Sequence, residues 1–228
     1  MKRITRILLF ILGIIIGLLV LYHLYLSFLP EIKLLIHFDP HNEKILVEMV
    51  RSHGLEDLIF LFALNTIAVA IPGLSNGISS VLNGILYGPT LGFIVNWISG
   101  ILGQIILLFG LQKLYNPKRF EHSKIYKLIM DQKYHQLGLT VGYMLPFIPS
   151  ATVAYINDLV NKPFKKRIIP ITIGVIPMAF LYAYGGDSIL HFNLKRIFAS
   201  VAGFLVIAII AVLALIVLHK IKKHVKKI

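Results

Sequence analysis

The chain has 228 residues, 57% of them hydrophobic and 14% charged, with a net charge of +13 and a mean hydropathy of +0.81. A soluble domain carries about 25% charged residues. This composition therefore excludes a soluble enzyme and a disordered tail, and the absence of cysteine excludes a disulfide scaffold. What remains is an integral membrane protein. Its basic residues sit in short segments between apolar runs, the pattern of cytoplasmic loops and anionic headgroup contacts and not of a nucleic-acid surface.

Ile7 to Leu29 is the first apolar run, flanked by Lys2, Arg3 and Arg6. It outlasts the roughly 7–15 residues of a signal h-region, and no small-x-small cleavage site follows. It reads as an uncleaved signal-anchor helix over 1–29. An extracytoplasmic linker, 30–57, comes next. Within it Ile45, Leu46, Met49 and Val50 share one helical face, and His53-Gly54 ends the pattern. That fits a helix lying on the membrane surface, or equally a linker helix packed on the protein.

Leu58 to Ile71 is apolar but too short for the roughly 20 residues of a span, and it stops at Pro72-Gly73. Leu74 to Tyr87 is a second short stretch, which stops at Gly88-Pro89. Proline removes a helix donor and clashes with the preceding turn. Two short helices joined by Pro-Gly read as a re-entrant hairpin. Thr90 to Gln112 is then a full span. The segment Pro117 to Gln136 places Phe120, Ile125, Leu128 and Ile129 against Lys118, Lys124 and Lys127, a second interfacial pattern. Leu137 to Ile156 is broken by Pro146 and Pro149, a second hairpin. Ile168 to Gly186 and Ile197 to Leu218 are the remaining spans, the last followed by a basic tail to residue 228.

The charges select a topology. With four spans and two re-entrant hairpins, the cytoplasmic segments 1–6, 113–137, 158–167 and 219–228 hold 18 of the 23 Lys and Arg residues. The outer segment 30–57 carries six acids. An odd number of crossings through 58–87 would place the basic 113–137 loop outside, against the positive-inside rule. The expected fold is thus all-α and integral to the membrane, with about four spanning helices and two opposed re-entrant hairpins in an inverted repeat within a core at 58–190. Both termini are then cytoplasmic. In transporters of this plan the site lies near the midplane, where the broken elements meet.

Small residues recur every four positions at Gly84, Gly88, Gly92, Asn96 and Gly100, with Gly103 close behind, a spacing that lets helices approach closely. Pro72-Gly73, the run Asn83 to Gly92 and the run Ser99 to Gln104 together resemble the first half of the VTT-domain family, the SNARE-associated Golgi protein-like relatives of the DedA membrane proteins. Leu145-Pro146-Phe147-Ile148-Pro149, Tyr155, Asn157, Thr172 to Pro177 and Tyr184-Gly185-Gly186 resemble its second half. The resemblance covers roughly residues 50–190. It implies two opposed re-entrant loops in a plasma-membrane protein. It also implies movement of lipids between leaflets, polyprenyl phosphates in bacteria and phospholipids in eukaryotic relatives. The chain departs from the family's coupling residues. No Asp, Glu, Lys, Arg or His lies between Leu58 and Gln112, Tyr143 replaces an arginine before Pro146, Gln104 stands where relatives place an acid, and Gln112-Lys113 matches a later arginine position. These departures point away from proton-driven antiport and toward a passive scramblase or a lineage with another cargo.

The candidate substrate-binding residues are Pro72, Gly73, Ser75, Asn76, Asn83, Asn96 and Gln104 in the first half, joined by the hydroxyls of Ser79 and Ser80. In the second half they are Pro146, Pro149, Tyr155, Asn157 and Asp158, with Ser150 and Thr152 beside them. Asn and Ser are also the residues that satisfy loosened backbone groups near a proline. Asp158 is the one acid beside a hairpin. It is expected to pair with Lys162, to face water, or to remain as a coupling group. Lys162, Lys165, Lys166 and Arg167 form a basic cluster that sets topology or gathers lipid phosphate. Ser75, Ser79 and Ser80 have no His or Asp nearby in the sequence, and no histidine pair within a predicted membrane core has metal-ligand spacing, so no enzyme activity, cofactor or metal is expected. The expected partners are membrane lipids and, as a possibility, a second copy of the chain; nucleic acid is not expected. A non-transporting membrane scaffold is the alternative reading.

Overall fold

The computed structural model describes residues 54–114 and 135–225, apart from Phe147, Lys162 and Phe192, together with Tyr126, Ile129 and isolated positions between Leu19 and Ser52. The chain divides into two units, 1–53 and 54–228. In the first, the isolated described positions from Leu19 to Arg51 are helical. Most of the signal-anchor run, of the linker and of the segment 117–136, together with Lys162, lie outside the described residues.

The second unit is helical throughout its described residues, without a strand. Helix α1 is Leu55–Ala70. It stops where it must: Ile71 precedes Pro72, whose ring disfavours the α conformation in the residue before it. Gly73 then turns the chain at φ 92°, in the left-handed region that favours glycine. Helix α2 is Gly77–Leu114, with non-helical backbone at Gly88, φ 74° and ψ −177°. Pro89 follows as the first residue of a new helical arm, the position proline fits best. α2 is therefore two helices, a short arm to Tyr87 and a long arm from Pro89. The long arm folds back on the short one. A Cβ at Gly92 would lie 2.6 Å from the Asn83 carbonyl oxygen and 3.0 Å from the Gly84 Cα.

Helix α3 is His135–Met144, α4 is Ser150–Val160 and α5 is Phe164–Leu190. Prolines bound each start: Pro149 caps α4 and Pro163 caps α5. Helix α6 is Leu194–Val225. At 1.5 Å per residue, α3 and α4 are each about 15–16 Å long, half of a hydrocarbon core of about 30 Å. The 27-residue α5 is about 40 Å long by the same rise. Among the described residues, two helices are long and apolar enough to cross a membrane, 77–110 and 164–190. The first includes the fold at Gly88, so only its long arm forms one uninterrupted rod. The expected span 197–218 falls within α6.

The packing centres on α5 and α2. At their crossing a Cβ on Gly84 would overlap the Ala183 carbonyl, and one on Gly186 the Val81 carbonyl. The backbones there touch, which only glycine allows. The second hairpin packs on the far end of the long arm through Leu108, Leu139, Tyr143, Val153, Ile156 and Ile171. Helix α6 covers α3 through Val141, Met144 and Leu145 against Phe204, Ala208 and Val212.

The triplet α1, short arm, long arm and the triplet α3, α4, α5 repeat the same contacts, the first two helices of each at one sequence offset and the third at an offset three residues shorter. Thr66 Oγ1 donates to the carbonyl one turn back at 2.8 Å, and Thr140 Oγ1 does so at 2.9 Å. A Cβ on Gly103 would stand 2.7 Å from Thr66 O and 2.6 Å from Val69 Cβ. One on Gly174 would stand 2.7 Å from Thr140 O and 2.6 Å from Tyr143 Cβ. Pro72 matches Pro146 and the fully buried Asn83 matches the fully buried Asn157 at the same offset as Thr66 to Thr140.

Candidate functional site

The first triplet holds an uncharged buried network. Asn65, with 0% exposure, is its hub. Its Nδ2 donates to Ser99 Oγ at 2.7 Å, and its Oδ1 accepts from Ser79 Oγ and Ser80 Oγ, both at 2.9 Å. Ser99 Oγ in turn reaches Val95 O at 2.5 Å, and Ser79 Oγ also reaches Asn76 O at 3.0 Å. These bonds tie α1 to both arms of α2. Asn76, at the start of the short arm, donates to Ser80 Oγ at 3.3 Å.

The amides beside this hub are oriented by carbonyls, which can only accept. Asn96 Nδ2 donates to Ser80 O at 2.9 Å and to Ala179 O at 3.5 Å. Its Oδ1 therefore takes the Asn83 Nδ2 proton, at 2.7 Å. Asn83 Oδ1 is left buried without a hydrogen-bond partner, as are Tyr87 OH and Gln104 Oε1. Buried polar groups are nearly always satisfied, so such atoms call for an explanation.

The second triplet carries charge. Arg167 Nη1 lies 2.7 Å from Asp158 Oδ1, and Arg167 Nε donates to Asn161 O at 2.5 Å. Asn157 Nδ2 donates to Arg167 O at 2.9 Å and to Tyr143 OH at 3.2 Å. Asn161 Nδ2 closes onto Asn157 Oδ1 at 2.8 Å. Gln136 Nε2 bonds Asn161 Oδ1 at 2.5 Å and reaches Lys166 O at 3.3 Å. Pro170 lacks the N–H that would take that carbonyl in a regular helix, so Gln136 supplies the missing donor.

The predicted residues fall into separate groups. Gly73 and Ser75 are exposed at one hairpin turn, with Pro72 and Asn76 partly covered beside them, and Pro146 and Pro149 are exposed at the other. Asn83 and Asn96 are brought together in the first network, Asn157 and Asp158 in the second. Tyr155 sits in the apolar cluster around Val153 and Ile156. Gln104 is buried on the long arm. Of the basic cluster, Lys165 and Lys166 are exposed and Arg167 is drawn inward. Asp158 pairs with Arg167; the expected pairing with Lys162 lies outside the described residues.

Four residues that shape these sites escaped the sequence reading: Asn65, Asn161, Gln136 and Asp187. Asn65 was legible as an amide inside an otherwise apolar run. Asn161 stands one turn after Asn157, a spacing that signals contact on a helix. Asp187 lies one residue beyond the expected end of the third span. The helix continues to Leu190, and Asp187 is buried there at 5% exposure. Its carboxylate lies 3.5 Å from His191 Nδ1 and 4.0 Å from Arg196 Nη1.

Chemically, the serine hydroxyls of the first network bond to amides and carbonyls, which do not act as bases. Among the described residues no group of three His, Asp or Glu side chains is placed to hold a metal ion. Amide and hydroxyl groups in an apolar fold are suited to binding a polar group without covalent chemistry.

A family model, the VTT domain, matches residues 71–188, from the first hairpin turn through the end of the α2–α5 crossing. No curated protein and no solved structure matches the chain. The matched stretch contains both proline turns, the second buried network, the first except for its hub Asn65, and the glycines at which α2 and α5 meet, and it is more than half of the sequence: the chain belongs to the VTT-domain family, membrane proteins of the DedA type.

Proposed function

We propose that the chain translocates lipids between the leaflets of the plasma membrane, through a groove between two re-entrant hairpins. The two triplets with matching contacts are read as inverted repeats, entering the membrane from opposite sides, with both termini cytoplasmic. The observation that carries this reading is the pair of buried polar networks, with Asn83 beside one and Asn157 in the other at equivalent positions of helices too short to cross the membrane. Carrying a charged headgroup through hydrocarbon costs several kcal/mol, on the order of 3 for a side-chain charge, so a polar path is the minimum such a protein must supply. Lys162, Lys165, Lys166 and Arg167 gather lipid phosphate at the cytoplasmic end, while Asn83, Asn96, Asn157 and the hairpin turns line the path. The absence of ionisable residues from Leu58 to Gln112 favours passive scrambling.

The test is leaflet exchange in liposomes containing the purified chain, with labelled phospholipid and labelled polyprenyl phosphate, with and without a pH gradient. Gradient-independent exchange of phospholipid is expected. Gradient-driven movement of polyprenyl phosphate alone would refute the scramblase mechanism. No movement of either lipid by folded protein would refute translocation. One observation favours the alternative of a non-transporting scaffold: Asn65 bonds three serines of its own fold, with both acceptor sites of its Oδ1 taken, as a structural network requires.

A further inference from the structure

Of the three unpartnered atoms of the first triplet, Asn83 Oδ1 and Tyr87 OH share the short arm, while Gln104 Oε1 lies on the long arm. Asn83 and Tyr87 sit one turn apart near the end of the short arm, on one face of the helix. The second triplet shows what this position looks like when closed. At the offset that relates Thr66 to Thr140 and Asn83 to Asn157, the counterpart of Tyr87 is Asn161. There Asn161 Nδ2 bonds Asn157 Oδ1 directly, at 2.8 Å. In the first triplet the same amide oxygen is buried and open, and the residue one turn on ends in a hydroxyl that is also open. The orientation of Asn83 is forced by its neighbours, since Asn96 must turn its Nδ2 to the carbonyls of Ser80 and Ala179.

We propose that Asn83 and Tyr87 form a binding site for the hydroxyl of a polyol lipid headgroup. The chemistry of the two atoms selects the ligand. Asn83 Oδ1 only accepts a hydrogen bond, and the Tyr87 phenol has a proton to give. A hydroxyl satisfies both at once, donating to Asn83 and accepting from Tyr87. An ammonium offers only donors, a fully ionised phosphate oxygen only accepts, and a choline group offers neither. A glycerol headgroup fits; water fits in its absence. Tyr87 is partly exposed while Asn83 is not, so the tyrosine ring is the movable wall. The proposal deepens the translocation reading, on which it rests, by naming the headgroup class.

The experiment compares exchange of labelled phosphatidylglycerol and phosphatidylcholine with identical tails, using the full chain in liposomes. One hydrogen bond gained by the glycerol headgroup predicts a preference for phosphatidylglycerol of about two- to tenfold. Tyr87→Asn rebuilds in the first triplet the amide pair of the second. It should bring the ratio of phosphatidylglycerol to phosphatidylcholine exchange to about one. Tyr87→Phe, which keeps the ring and removes the donor, should reduce the preference and guards against a misfolded Tyr87→Asn. Equal rates for the two lipids in the unaltered chain, or a preference that survives both variants, would mean that the position holds water only and would overturn the proposal. If neither lipid moves, the translocation reading fails, and thermal unfolding in micelles decides the site separately. A melting temperature raised by phosphatidylglycerol over phosphatidylcholine in the unaltered chain, and by neither in the variants, supports the site without transport. No difference overturns the site as well.

Discussion

Asn65→Ala should destabilise the first triplet by about 3 kcal/mol, and the structure says how that loss divides. Three side-chain bonds disappear, to Ser79, Ser80 and Ser99. Interhelical hydrogen bonds in membranes average about 0.6 kcal/mol, so together they contribute about 2 kcal/mol. Ser99 retains the Val95 carbonyl and Ser79 retains the Asn76 carbonyl. Ser80 loses its acceptor, and a stranded buried hydroxyl costs about 1 kcal/mol or more. The partition is testable by a double-mutant cycle. Ser80→Ala should cost about 0.6 kcal/mol in the unaltered chain and should be neutral or stabilising by about 1 kcal/mol beside Asn65→Ala. The assay is reversible unfolding in mixed micelles, followed by the fluorescence of Trp97. This is the one tryptophan of the chain, and its Nε1 bonds Thr172 O across the α2–α5 seam at 2.9 Å. If Ser80→Ala costs the same in both backgrounds, Asn65 is not the hub and the reasoning is refuted.

The glycines should rank by what a methyl group would meet. Gly84→Ala and Gly186→Ala drive a Cβ into backbone carbonyls and should each cost about 3 kcal/mol, the upper end for overpacking. Gly100→Ala meets only Val175 Cγ1, at 2.8 Å, a side chain that can rotate away, and should cost about 1 kcal/mol. Gly110→Ala meets nothing and should be neutral or stabilising by up to about 1 kcal/mol; melting temperatures in micelles check the order. Arg167→Ala should cost about 1–2 kcal/mol, mostly through the lost bond to Asn161 O, and adding Asp158→Ala should cost little more, because the pair is partly screened at 15% and 26% exposure. A larger additional loss in the double variant, read in the same unfolding assay, would show that Asp158 has a second essential partner. His191 Nδ1 meets the Asp187 main-chain O at 2.8 Å in any variant, so Asp187→Leu should destabilise the α5–α6 turn more than Asp187→Asn only through the lost polar side chain; equal losses would mean that its side-chain contacts contribute nothing.

Composition and charge alone determined that this is a helical membrane chain, because an apolar run can be buried in lipid only as a helix with its backbone bonds satisfied internally. The breaks were equally legible. Pro72-Gly73, Gly88-Pro89, Pro146 and Pro149 interrupt helices wherever they stand, since the constraint is local to one or two residues. The folds of the chain therefore lie near where the residues put them, with ends shifted by a few positions: α1 begins at Leu55, the short arm of α2 at Gly77, and α5 runs on past Gly186 to Leu190. Which polar groups meet was decided by the tertiary structure. Asn83 and Asn157 look alike in sequence, yet one ends in an open amide oxygen and the other in a closed bond to Asn161. Asp158 chose Arg167, and Asn65 became a hub, through contacts between helices whose crossing is set by Gly84, Gly103, Gly174 and Gly186. A side-chain hydrogen bond needs its partner within about 3 Å, a distance fixed by how helices pack and not by how residues are spaced along the chain.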